Sequence, residues 1–241
     1  MQHLSPQLEA LLFDYGNTLI EFGPEQVERC DRALSAAFER LFGPHDFEQL
    51  SSIQHRERRA PYSGEFLEND LAEVTRATIR EIFRTEPTAA QIEHLLEVRF
   101  DVMTSCVRVA PEVHDLLERL RGRFRLGLVS NYPCARSIRH SLQQHGLDRW
   151  FEVVVVSGEV GRVKPHPQVF EAALSRMQVR PGATLFIGDN WLGDIQGAKR
   201  YGMKAALITQ YVPYEKFPRE PGDHEPDVLL NHLSELAALC D

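Results

Sequence analysis

The apolar positions of the chain fall into two textures. Leu11, Leu12 and Phe13 form a short unbroken run that stops at a carboxylate, Asp14, and the turn-prone pair Gly16-Asn17 follows before Leu19-Ile20. That reads as a buried strand delivering a charged group at its end. From about residue 24 to 106 the spacing is helical. Val27, Cys30, Leu34, Ala37, Phe38 and Leu41 recur at steps of three and four, and the Phe-Gly-Pro run at 42–44 stops them. The pattern predicts a second helix over 46–59, ended by Pro61 and Gly64. A third is predicted over 65–84, with Leu67, Leu71, Val74, Thr78 and Ile82 on one face. Pro87-Thr88 opens a fourth, carrying Ile92, Leu95, Leu96 and Met103. This block reads as a small helical bundle.

From Val107 onward helices alternate with short, near-continuous apolar runs at 124–131, 151–158, 184–190, 204–209 and 227–230, and a last helix follows the final run. Such runs between helices predict a parallel sheet covered on both faces. The fold class is therefore α/β: a doubly wound parallel, Rossmann-like sheet with an inserted α-helical bundle. Residues 1–20 and 107–241 form the expected core, and residues 21–106 the insertion.

Composition narrows the partners. A net charge of −8 argues against nucleic acid or an anionic membrane surface, both of which need a basic field. No apolar run reaches the roughly 20 residues of a membrane span, and the first ten residues lack the regions of a signal peptide. The four cysteines (Cys30, Cys106, Cys134 and Cys240) show no CxxC pairing. A cytoplasmic location follows as the expectation; the oligomeric state is not legible.

Ligands of open parallel sheets bind outside the carboxyl ends of the strands. Applied here, that rule collects Asp14 from the first strand, Ser130-Asn131 from the second, and Asp189-Asn190 with nearby Asp194 from the fourth. The Gly-rich turn after the third brings Lys164. Taken singly, each is more often a cap, a turn residue or a solvated lysine. Together they gather carboxylates and one ammonium at one rim, which is costly without a divalent cation. Mg²⁺ suits oxygen ligands and phosphate substrates, so the chemistry predicted is phosphoryl handling of a small phosphorylated molecule.

These segments resemble the haloacid dehalogenase (HAD) superfamily, in the branch with a helical cap inserted after the first motif. FDYGNTL resembles the first motif, LVSN the second, VKPHPQVF the third and IGDNWLGDIQGAKRYGM the fourth. The resemblance implies that Asp14 is the nucleophile. Ser130 and Asn131 would bind the phosphoryl oxygens, and Lys164 would stabilise nucleophile and phosphate. Mg²⁺ would be held by Asp14, the Gly16 carbonyl and Asp189, supported by Asp194, Thr18 and Asn190. An aspartyl-phosphate would form and be hydrolysed by water, under a lid made by the helical insertion.

One position departs from the family. Two residues after the nucleophile its phosphatases usually carry a second Asp, which protonates the leaving oxygen and later activates water; here that residue is Gly16. Losing such a group typically lowers rates by about 10²–10⁴. A phosphatase so altered would take its proton from water, the substrate or a cap group, and would favour leaving groups that need little protonation. The alternatives are a metal-independent 2-haloacid dehalogenase, against which the Asp189 and Asp194 pair stands, and a catalytically weak binding or regulatory protein. Phosphonate cleavage is set aside because residues 24–106 contain no lysine. In the insertion, Arg56, Arg58, Arg59, Arg76 and Arg80 read as a solvated face. Tyr62 and Phe66 fit a cap mouth or a cap core equally. Trp191 either flanks the pocket or packs beneath it.

Overall fold

The computed structural model describes residues 7–211 and 219–239; Cys240 and residues 1–6, which bear on the cysteine and signal-peptide readings, lie outside them. Among the described residues six parallel strands form one sheet: β1 (Ala10–Phe13), β2 (Arg125–Ser130), β3 (Val153–Val156), β4 (Thr184–Gly188), β5 (Lys204–Ile208) and β6 (Val228–Leu230). Their order is β3-β2-β1-β4-β5-β6. β1 is central, pairing Leu12 with Gly127 of β2 and with Phe186 of β4. The order reverses there, so the loops leaving β1 and β4 open a crevice at the carboxyl edge.

Alternation along the strands builds two cores. Leu11, Phe13, Leu126, Leu128 and Ile187 face one way, against α5 (Pro111–Arg121) and α6 (Ala135–Gln144). Leu12, Val155 and Phe186 face the other. They meet Phe170, Leu174 and Met177, on the helix Pro167–Met177.

The chain leaves β1 into four helices before it returns to the sheet: α1 (Pro24–Phe42), α2 (Phe47–Arg59), α3 (Leu71–Phe83) and α4 (Ala89–Cys106). They carry a separate core of Leu34, Ala37, Phe38, Leu50, Ile79 and Leu95. Asp46 and Asp70 cap α2 and α3 through their carboxylates, and Thr88 with Gln91 forms a capping box on α4. No helix among the described residues is long and apolar enough to cross a membrane.

The third predicted helix starts too early. The Asp70 carboxylate accepts from the N–H groups of Ala72 and Glu73 and starts α3 at Leu71. The preceding segment instead bridges, antiparallel, between Leu67 and Arg162. Leu67 is consequently 55% exposed, and Thr75, Thr78 and Ile79 are the buried positions of α3. The last expected helix is a 3₁₀ segment, Leu233–Leu239.

Among the described residues the remaining α-helices are α7 (Ser157–Val160), α8 (Pro167–Met177) and α9 (Gly197–Arg200), the last entered through a π-helical turn, Trp191–Gln196.

Candidate active site

The backbone N–H of Asp14 donates to Ile187 O at 2.9 Å, extending the pairing of β1 with β4 by one residue and leaving the carboxylate at the sheet's rim. The chain then turns tightly. Asn17 takes the left-handed conformation (φ 58°), which Asn tolerates, its N–H donates to Ile20 O, and its Oδ1 accepts from Phe22 N–H at 2.9 Å. Tyr15, Leu19 and Ile20 anchor the turn in the core. Thr18 is fully buried and lies off the cavity. Gly16 lines it, at an ordinary φ, and a Cβ added there would touch only Phe22 Cβ, at 3.7 Å. Neither backbone conformation nor space therefore requires glycine at position 16.

Lys164 is buried, contrary to the behaviour of a typical lysine. Its ammonium donates to Asp14 Oδ1 at 2.7 Å and to Val129 O at 2.8 Å, and forms an ion pair with Asp194 Oδ1 at 2.7 Å. Burial alone would lower its pKa, but the two carboxylates outweigh that and hold it above the ordinary range. Burial pushes Asp194 up to about 6, with Lys164 pulling the other way.

Asn131 ties this loop to its surroundings. Its Oδ1 accepts from Lys164 N–H at 2.8 Å, while its Nδ2 donates to Lys164 O at 3.0 Å and to Tyr62 Oη at 3.1 Å. The side-chain amide is thus fully engaged, and a contact of Asn131 with substrate would go through its backbone N–H. Ser130, the last residue of β2, is buried and lines the cavity.

After β4, Asn190 Oδ1 accepts from Gly193 N–H, and Asp194 Oδ2 from Asn190 N–H, both at 2.9 Å. These bonds close the π-helical turn, a geometry frequent at functional sites. Asp194 folds back against the end of β4, where a Cβ on Gly188 would overlap its carboxylate. Gly188→Ala should therefore displace Asp194 and destabilise the protein by about 1–3 kcal/mol, measured as a lower denaturation midpoint. Asp14, Asp189 and Asp194 each offer an oxygen, all within 4.8 Å of one another. With Lys164 the set carries a net charge of −2 when fully ionised. Trp191 packs rather than flanking the pocket, and its Nε1 donates to Asp223 Oδ2 at 2.7 Å.

The cavity above these groups measures about 150 Å³. The helical block contributes Tyr62, Phe22 and Met103 to its lining. Phe66 O accepts from Val163 N–H at 2.9 Å, Glu68 N–H donates to Gly161 O at 3.1 Å, and Ser157 Oγ bonds the Glu68 carboxylate. Burial raises the pKa of Glu68, with Ser157 opposing. The segment after Tyr62 is thereby strapped to the loop that carries Lys164. Of the arginines singled out in the sequence, Arg56, Arg76 and Arg80 form surface ion pairs with Glu81, Glu73 and Glu86, and Arg58 pairs with the buried Asp31. The sequence pattern does not single out Arg99. It stands one turn before Met103 on α4, donates to Gln54 Oε1 at 2.7 Å, and has a buried Nε without a hydrogen-bond partner. That i, i+4 relation to a pocket-lining residue was readable in the sequence only once the face of α4 was known.

Comparison with known proteins decides the family. The profile described as haloacid dehalogenase-like hydrolase matches residues 8–202. The chain belongs to the haloacid dehalogenase-like hydrolase family. This hydrolase is 23% identical over 231 residues to the pyrophosphatase PpaX of Bacillus cereus strain G9842, covering 95% of each chain. Its fold is similar to that of the HAD-hydrolase YfnB of Bacillus subtilis, determined bound to magnesium (TM-score 0.71, 21% identity, 97% and 99% of the two chains). It is equally similar to a 2-haloacid dehalogenase of Pseudomonas syringae pv. Tomato (TM-score 0.72, 22% identity, 96% and 97%).

Proposed function

We propose that this hydrolase is a Mg²⁺-dependent phosphatase of small phosphorylated metabolites, with Asp14 as nucleophile and residues 21–106 acting as a cap over the core. The observation that carries this reading is the excess of buried carboxylate: three acidic side chains share one edge with a single lysine. An all-oxygen donor set with uncompensated negative charge fits a hard divalent cation. A halide-releasing site has no need of the Asp189 and Asp194 pair. Similarity to a pyrophosphatase and to a magnesium-bound hydrolase supports the same reading.

Asp14, Asp189 and the Gly16 carbonyl would hold the ion, with Asp194 behind them. When bound, Mg²⁺ would supply positive charge toward the phosphoryl oxygens. The chain's own groups do the rest. An Asp14 oxygen attacks phosphorus, and the bond to the leaving oxygen breaks. Lys164 and the Ser130 hydroxyl compensate the charge on the phosphoryl group. Water then attacks the aspartyl-phosphate and returns Asp14 to its carboxylate. A cavity of about 150 Å³ is well below the roughly 300–1,000 Å³ of sites for drug-sized ligands, which fits a small phosphorylated substrate.

The test is phosphate release from p-nitrophenyl phosphate and acetyl phosphate, with Mg²⁺ and with chelator. The expected outcome is Mg²⁺-dependent release in the wild type. In Gly16→Asp, release from an alkyl phosphate should rise by about 10²-fold or more, because a Cβ has room at this position and the new carboxyl supplies the absent acid. Chelator-insensitive halide release from a 2-haloacid, without phosphate release, would replace this reading with the dehalogenase.

A further inference from the structure

Gly16 leaves the leaving-group oxygen without its usual proton donor, and the cavity contains few candidates. Asp14 and Lys164 are committed to each other, and Asp194 to Lys164. The Tyr15 hydroxyl is turned away, bonded to Ser141 Oγ at 2.7 Å. The strongest electrostatic neighbours of Tyr132 are Arg99 and Cys30, in the helical block. Tyr62 lines the cavity from the helical block, and the charges that act on its hydroxyl are those of Lys164, Asp194 and Asp14.

Its position is also built. The 3₁₀ turn Ala60–Tyr62 ends α2 on the buried Pro61. The strap at 66–68 fastens the chain that follows to the loop before Lys164. Asn131 Nδ2 donates to the hydroxyl oxygen at 3.1 Å, and the same amide holds Lys164 from both sides. One side chain therefore sets the phenol and the catalytic lysine at a common spacing.

We propose that Tyr62 donates the proton to the leaving-group oxygen, taking over the part that a second aspartate at position 16 would play. The inference rests on the phosphatase reading above. As Asp14 attacks, the bond from phosphorus to the leaving oxygen breaks with its electron pair on that oxygen, which takes the Tyr62 proton. The resulting phenolate lies near the Lys164 ammonium. In the second step the phenolate accepts a proton from the attacking water, the bond between phosphorus and Asp14 breaks, and the products are an alcohol and inorganic phosphate. Burial pushes the Tyr62 hydroxyl up to about 12, with Asn131 and Lys164 opposing, so it stays protonated at neutral pH and gives its proton only to a strongly basic oxygen. The donor comes from the helical block, so chemistry on a poor leaving group requires that block to be seated on the core.

The experiment compares wild type, Tyr62→Phe and Gly16→Asp/Tyr62→Phe on an alkyl phosphate, p-nitrophenyl phosphate and acetyl phosphate. In Tyr62→Phe, kcat on the alkyl phosphate should fall about 10²-fold, with a fall of less than about 10-fold on acetyl phosphate, whose leaving group needs little protonation. The double variant should recover the alkyl phosphate, which also shows that a chain carrying Tyr62→Phe folds. Equal losses on all three substrates, or no loss on the alkyl phosphate, would overturn the role of Tyr62 while leaving the phosphatase standing. Absence of phosphate release from wild type and Gly16→Asp alike would overturn both.

Discussion

Asp14→Asn is expected to abolish phosphate release, by at least about 10⁴-fold, the scale on which removing a nucleophile disables an enzyme. The amide is nearly isosteric with the carboxylate but cannot form the acyl phosphate. Fold and stability should survive. Lys164 can still donate to the amide oxygen in place of the carboxylate oxygen it meets at 2.7 Å, and one of three crowded anions is removed. The denaturation midpoint should therefore stay level or rise, and Asp14→Asn should trap no phosphorylated enzyme where wild type does. Residual turnover within tenfold of wild type would exclude Asp14 as the nucleophile.

Lys164→Met is expected to fail in the opposite manner, losing stability as well as activity. The ammonium is the only cation within hydrogen-bonding distance of the Asp14 and Asp194 carboxylates among the described residues. Methionine fills similar space but leaves buried anions facing one another. Removing one partner of a buried ion pair typically costs about 3–5 kcal/mol, which for a chain of this size lowers the melting temperature by on the order of 10 °C. Added Mg²⁺ should recover more of the melting temperature in Lys164→Met than it adds to wild type, since it would supply the charge that the lysine did. Melting of wild type and variant within about 2 °C of each other in chelator would show that the lysine does not hold the carboxylates together.

The two variants separate functions that the geometry superimposes at one point. In the proposed mechanism Asp14 serves covalent chemistry and adds negative charge to the site, whereas Lys164 serves both chemistry and stability. Gly16→Asp and Tyr62→Phe would act on the proton alone, and their effects should follow the leaving group.

Much of this was legible in the sequence. Short apolar runs that each end in a polar group identified the parallel sheet, its carboxyl edge and the convergence of Asp14, Ser130, Lys164, Asp189 and Asp194, because strand ends in such sheets have one place to go. The helical insertion was legible from its period, except where a local signal was outweighed: Leu67 has helical spacing, yet the Asp70 cap and the pairing with Arg162 hold it in an extended strap. Sequence could not say what Tyr62 faces, since a cap mouth and a cap core have the same composition. Nor could it say that Asn131 is occupied by Lys164 and Tyr62, or that Gly188 is needed to admit Asp194. These are contacts between segments distant in the chain, fixed by how the helical block and the π-helical turn seat on the sheet. The residue types and their order along the chain determined which groups meet at the rim; only the tertiary packing decided their distances, their partners and which side chains of the helical block line the cavity.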